Sequence, residues 1–105
     1  RNAFLNETLK REQPFVMSVP AREADPSYPE DETILVQGII DAWFPEGDEI
    51  VLVDYKTDRV REAGELKKRY EKQLAYYQQA LERTTGKKVK EKIIYSLALD
   101  EELVL

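Results

Sequence analysis

The sequence contains neither cysteine nor histidine, and only four of its 105 residues are glycine. Without cysteine no thiolate-held iron–sulfur cluster can form, and the lack fits a cytoplasmic chain, since disulfides belong to oxidising compartments. No apolar run approaches the roughly 20 residues needed to span a bilayer. No basic-then-apolar leader opens the chain either, so membrane-embedded functions are set aside. What is there is a chain with 42% hydrophobic residues, enough for one modest core and too short for several domains.

Charge is plentiful but uneven. Lys and Arg number 16 against 21 Asp and Glu, a net charge of −5. Between residues 59 and 92, however, eleven basic residues stand against five Glu, a balance of +6 that leaves −11 for the remainder. A basic stretch of this kind can follow a phosphate backbone, and equally can be no more than a solvated helix face.

The strongest pattern lies in the middle of the chain. Residues 33–44 and 49–56 are rich in Ile and Val, and Pro45-Glu46-Gly47-Asp48 between them is a turn-forming run, so a β-hairpin is predicted. Side chains alternate faces along a strand, which puts Asp54 and Lys56 on one face and Tyr55 on the other. With the turn centred on Glu46-Gly47, Asp41 falls opposite Leu52. It then shares the face of Asp54 and Lys56, one diagonal step from Asp54, or roughly 7–8 Å.

A lone Asp-x-Lys at a strand end is most often a solvated pair. Here it directly follows residues 50–53, an apolar run of the kind buried on both faces, where charge is costly unless paired or bound to a metal. One or two carboxylates suffice for a magnesium ion, whose other positions are filled by water and phosphate oxygens. Asp41 and Asp54 are the candidate ligands, helped by the Tyr55 carbonyl. Lys56 would then orient a metal-bound water and lower its pKa, or stabilise charge developing on a phosphate. This combination points to Mg2+-assisted phosphodiester hydrolysis, with Mn2+ as a substitute.

Around the hairpin, Phe4, Leu5, Thr8 and Leu9 fall at helical spacing, so a short helix is expected over 2–11. Residues 15–19 read as a strand ended by Pro20, and 26–32 as a polar, proline-containing connection. A long helix is expected over 62–85, closed by Gly86 as a left-handed cap. Its apolar face is Leu66, Tyr70, Leu74, Tyr77 and Leu81. Gln73 borders that face one turn from Tyr77, where it can approach whatever the strand end binds; a glutamine satisfied by backbone groups is the ordinary alternative. Residues 89–99 form a last strand, parallel to the hairpin's second strand after a right-handed crossover. A turn at 100–102 precedes residues 103–105, which read as an edge strand or as the cut end of a longer element. Trp43 and Phe44 read as core or interface aromatics rather than base-stacking platforms. The fold class is α/β: a mixed sheet with three antiparallel strands, a long crossover helix and a further parallel strand.

Gly38-Ile39-Ile40-Asp41, a spacer of twelve residues, Asp54-Tyr55-Lys56-Thr57, and then Gln73-Leu74-Ala75-Tyr76-Tyr77 together resemble the PD-(D/E)XK nuclease superfamily in its RecB-like branch. The family's first metal aspartate matches Asp41, its second acidic ligand Asp54, and its catalytic lysine Lys56. Its helix glutamine and tyrosine match Gln73 and Tyr77. Glu12-Gln13-Pro14-Phe15 resembles the opening of the first sheet strand in that branch. Within it, the chain is most similar to the C-terminal nuclease domain of AddAB-type helicase–nucleases.

The resemblance implies a restriction-endonuclease-like core and Mg2+-dependent endo- or exonucleolytic cleavage of DNA, as ends or unwound single strands, in end processing and recombinational repair. It implies as partners the remainder of a helicase polypeptide and a second nuclease subunit. The iron–sulfur cluster that staples some relatives cannot form without cysteine. Relatives usually carry a histidine or another metal ligand on a helix upstream of the first strand, and this chain has no histidine. Its start, Arg1-Asn2-Ala3-Phe4-Leu5, reads like the interior of a longer protein. The expectation is a single nuclease domain taken from the C-terminus of a larger helicase–nuclease, with one ligand left behind. Two other readings fit the same residues: an inactive nuclease-like fold that binds DNA or serves as a scaffold, and a small α+β protein-interaction module whose Asp and Lys form surface pairs.

Overall fold

Apolar residues recur every three or four positions from Leu66 to Leu81, and the chain is helical around them from Ala63 to Thr85. In the computed structural model, which describes residues 9–105, this helix lies across a five-stranded mixed sheet. In chain order the elements are β1 (Lys10–Pro20), the single-turn α1 (Ala21–Ala24), β2 (Thr33–Glu46), β3 (Glu49–Lys56), α2 (Ala63–Thr85), β4 (Val89–Ser96) and β5 (Glu101–Val104). The strands lie side by side in the same order. β1, β2 and β3 run antiparallel to one another in turn, β4 runs parallel to β3, and β5 returns antiparallel to β4. A parallel pair cannot be joined by a tight turn, and α2 supplies the crossover.

Leu66, Leu74, Tyr77, Ala80 and Leu81 of α2 pack in one core with Met17, Val19, Ile40, Ile50, Leu52, Val89 and Ile94. Each fully buried leucine there contributes about 1.5–3 kcal/mol of transfer free energy. Ala42, Phe44, Val51, Val53 and Ile93 form a second core on the opposite face of the sheet, with Leu9 and Tyr55 against it. Residues 50–53 are therefore buried on both sides, as a near-continuous apolar strand requires. Phe44 belongs to the second core and Trp43 packs on the first, so both hairpin aromatics are core residues.

The helix stops at Gly86, whose φ of +71° suits a residue without a Cβ and whose N–H donates to the Glu82 carbonyl at 2.9 Å. Two ends differ from the sequence expectation. Lys10 and Arg11 belong to β1 rather than to a helix over 2–11, and residues 2–8 of that helix lie outside the described residues. β4 ends at Ser96, not 99, because Ser96 Oγ accepts the Leu99 N–H at 3.1 Å and Asp100, at φ +52°, turns the chain. The turn is thus 97–100, and Glu101 and Glu102 already pair with Ser96 and Tyr95 in β5. Among the described residues no helix is long and apolar enough to cross a membrane.

Candidate active site

Where the two central strands bring their charges together depends on the hairpin loop. Glu46 pairs with Glu49, which leaves Gly47-Asp48 as the loop, with Gly47 at φ +66° in the first loop position where a left-handed residue is needed. A turn centred on residues 46 and 47 would have set Asp41 against Leu52. Instead Trp43 pairs with Leu52 and Ala42 with Val53, and continuing that ladder sets Asp41 against Asp54. A register change of two residues preserves the face. Asp41 therefore shares the face of Asp54 and Lys56, as expected, but as the direct neighbour of Asp54 rather than its diagonal one.

Alternation in β2 breaks at the same point. Ile34, Val36 and Ile40 pack toward α2, and so does Trp43, whereas Ala42 and Phe44 belong to the opposite core. In β1, Gln13 pairs with Ile40 and Arg11 with Ala42, while Glu12, at φ +51°, and Asp41 drop out of the ladder between them. Such irregularities re-aim side chains, and this one turns Ile40 and Asp41 both toward the helix. Asp41 Oδ2 then accepts the Tyr55 N–H at 3.0 Å. A side chain thereby takes over at the point where the β2–β3 ladder stops.

Asp54 is 2% exposed. Its Oδ2 lies 2.7 Å from Lys56 Nζ in a largely buried ion pair. Burial pushes the Asp54 carboxyl up; Lys56 opposes this and the adjoining Asp41 carboxyl adds to it, leaving the pKa at about 6. For Lys56, burial works downward, but Asp54 beside it outweighs burial and the net shift is upward. The ammonium is therefore charged at neutral pH. It also donates to Gln73 Oε1 at 2.9 Å and stands 4.1 Å from the centre of the Tyr70 ring.

Tyr77 is buried, and its ring meets Phe15 edge-on at 5.4 Å. Burial raises its hydroxyl pKa and Asp54 and Asp41 add to the rise against Lys56, which places the phenol within electrostatic reach of both carboxylates. Gly38 makes room for this ring pair: a Cβ there would stand 3.2 Å from Phe15 Cε1 and 3.4 Å from Tyr77 Cε1. The Tyr55 ring faces away and meets Tyr95 edge-on at 6.3 Å, so only the backbone of Tyr55 belongs to the site.

The fold thus gathers Asp41, Asp54, Lys56, Gln73 and Tyr77 at the end of β3. Sequence reasoning assigns Tyr70 to the apolar face and gives Asp58 no role. Tyr70, Gln73 and Tyr77 lie three and four residues apart on one stripe of α2, and that spacing is the one signal that could have added Tyr70 to the group. Tyr70 Oη donates to Asp58 Oδ2 at 2.7 Å, and Arg69 Nη1 approaches the same oxygen at 2.6 Å. These bonds hold the Asp58 carboxyl below its ordinary pKa.

Among the described residues no three Asp, Glu, His or Cys side chains converge as a metal cage. Two carboxylates do stand side by side, and the buried one, Asp54, has its pKa raised in part by the other. Two adjoining carboxylates against the single Lys56 ammonium leave negative charge at a buried strand end that a further cation would balance, and an all-oxygen pair with room for water and phosphate oxygens suits a hard divalent ion. The residues present fit such an ion, with Asp41 and Asp54 as side-chain ligands and the Tyr55 carbonyl, between Asp54 and Lys56 in the chain, as the candidate backbone ligand.

The family model described as PD-(D/E)XK nuclease superfamily matches residues 2–103. The A subunit of the ATP-dependent helicase/nuclease of Clostridium botulinum (strain Loch Maree / Type A3) is 46% identical over 99 residues, which are 90% of this chain and 8% of that protein. The protein of the same name from Clostridium kluyveri is also 46% identical over 99 residues, with the same two shares. That from Clostridium botulinum strain Hall is 43% identical over 99 residues. The chain spans 8% of the length of these relatives.

Proposed function

Because the chain belongs to the PD-(D/E)XK nuclease superfamily, we propose that its Asp41–Asp54–Lys56 cluster hydrolyses DNA phosphodiester bonds with a divalent cation, Mg2+ or in its place Mn2+. The chain is on this reading the nuclease domain of a longer, cytoplasmic helicase–nuclease that works with a second nuclease subunit in DNA end processing and recombinational repair. The observation that carries the reading is the placement of Lys56 Nζ between Asp54 Oδ2 at 2.7 Å and Gln73 Oε1 at 2.9 Å, beside a second carboxylate.

Asp41 and Asp54 would hold the cation, with the Tyr55 carbonyl available to help. When bound, the cation supplies Lewis acidity toward a phosphate oxygen and lowers the pKa of a coordinated water. The remaining work falls to the chain. Asp41 keeps its aim through the Tyr55 N–H. Lys56, charged at neutral pH, is a donor and not a base: its ammonium stabilises negative charge developing on the phosphate. Gln73 fixes the direction of that ammonium by accepting one of its protons, and Tyr77 closes the site on the helix side. The exposed Lys67, Lys68 and Lys72 of α2, within the basic span, offer a path for the DNA backbone.

Calorimetric titration of the chain with Mg2+ and Mn2+ tests the metal half of this reading. Binding in the native chain and its loss in Asp54→Asn is the expected result. A native chain that folds and takes up neither ion would leave a nuclease fold used for binding or scaffolding alone.

A further inference from the structure

The Lys56 ammonium is held on three sides, and only two of them are polar. Asp54 lies at 2.7 Å and Gln73 at 2.9 Å, and the third side is the face of Tyr70, with Nζ 4.1 Å from the ring centre. This is well inside the distance of about 6 Å at which a cation is attracted by the negative face of an aromatic ring. The ring is itself held. Tyr70 Oη donates to Asp58 Oδ2 at 2.7 Å, and Arg69 approaches the same oxygen at 2.6 Å. Asp58 follows Lys56 by two residues at the exit of β3, while Tyr70 precedes Gln73 by three on α2. The chain therefore leaves the strand carrying a carboxylate that ties the helix ring back over the strand's own lysine.

A lysine has four rotatable side-chain bonds and a compact, strongly hydrated charge. Gln73 fixes one of its N–H directions and the Asp54 ion pair holds its charge, but neither prevents the stem from swinging outward into water. A ring across the open side does, without occupying a proton. We propose that Tyr70, oriented by Asp58, is a positioning residue that confines the Lys56 ammonium to the direction of the scissile phosphate. The proposal rests on the reading of Lys56 as the group that stabilises the phosphate.

A tyrosine that merely packs against the core would give the same burial, so the test separates ring face, hydroxyl and bulk. Tyr70→Phe keeps the ring and loses the Asp58 bond, and Tyr70→Leu keeps apolar bulk and loses both. In the full-length polypeptide with saturating Mg2+, kcat for DNA cleavage is expected to fall about threefold in Tyr70→Phe, the low end of one net hydrogen bond. In Tyr70→Leu it is expected to fall about 10- to 100-fold, the scale of a displaced catalytic group, with KM little changed in both. The second readout needs no turnover. In NMR spectra of the metal-free chain, the Lys56 Hε protons are expected to show an upfield ring-current shift that persists in Tyr70→Phe and disappears in Tyr70→Leu.

The proposal is overturned if Tyr70→Leu keeps kcat within twofold of the native value, if Phe and Leu lose kcat equally, or if the native chain shows no ring-current shift at Lys56. A native polypeptide that does not cleave DNA would sink the nuclease reading itself. The NMR comparison then decides alone whether the ring confines the ammonium: loss of the shift in Tyr70→Leu alone upholds the confinement, and any other pattern refutes it.

Discussion

Replacing Asp54 with asparagine keeps the shape of the side chain and removes a charge that the fold holds at a cost. The carboxyl is 2% exposed and has a folded pKa of about 6 against an ordinary 3.8. A pKa raised in the folded state means that the group's contribution to stability is complete below 3.8 and is lost as the pH rises through 6. At about 1.4 kcal/mol per pH unit, the ionised Asp54 costs the metal-free fold about 3 kcal/mol at pH 8. The amide that replaces it does not ionise, so Asp54→Asn is expected to be more stable by up to about 3 kcal/mol at pH 8, a rise in melting temperature on the order of 10 °C. Most of the gain should be gone at pH 4. Thermal melts in EDTA at the two pH values measure both numbers. Adding Mg2+ should raise the melting temperature of the native chain and not that of the variant, since a ligand stabilises only the state that binds it. A variant less stable than native at pH 8, or a gain that does not change with pH, would refute the reasoning.

Lys56→Met removes the ammonium and keeps much of the stem. Cleavage by the full-length polypeptide should fall by about 10²–10⁴-fold, read by single-turnover kinetics, and Lys56→Arg should not restore it fully because a planar guanidinium does not replace a compact ammonium. Gly38→Ala places a methyl group 3.2 Å from Phe15 Cε1 and 3.4 Å from Tyr77 Cε1. Displacing that ring pair should cost about 1–3 kcal/mol in denaturant titrations and lower cleavage through Tyr77, whereas unchanged stability would mean that the rings give way freely.

The hairpin, the crossover helix and the face shared by Asp41, Asp54 and Lys56 are legible in the sequence because each rests on period. Alternation of two puts the charges on one side of the strand, and intervals of three and four put Gln73 and Tyr77 on one side of the helix. Turn chemistry reads one residue too early: Gly47 stands at the first loop position, not the second, and this moves Asp41 from the diagonal of Asp54 to its direct neighbour. The irregularity at Glu12 and Asp41 has no sequence signal, since it needs a glutamate at positive φ, a conformation that such residues rarely adopt. Tyr70 is hidden by an ambiguity of type. A tyrosine on an apolar stripe looks like core, and only the arrival of Lys56 beneath its ring separates the two roles.

DNA cleavage by the full-length polypeptide carrying Asp41→Ala tests the central claim most directly, because Asp41 lines neither core and its carboxylate is aimed by the Tyr55 N–H. With saturating Mg2+ and a substrate offering both duplex ends and unwound single strands, cleavage should drop to background while the protein stays folded and any ATP-driven unwinding continues. Cutting at the native rate by this variant would contradict the assignment of Asp41 and Asp54 as the metal-holding pair.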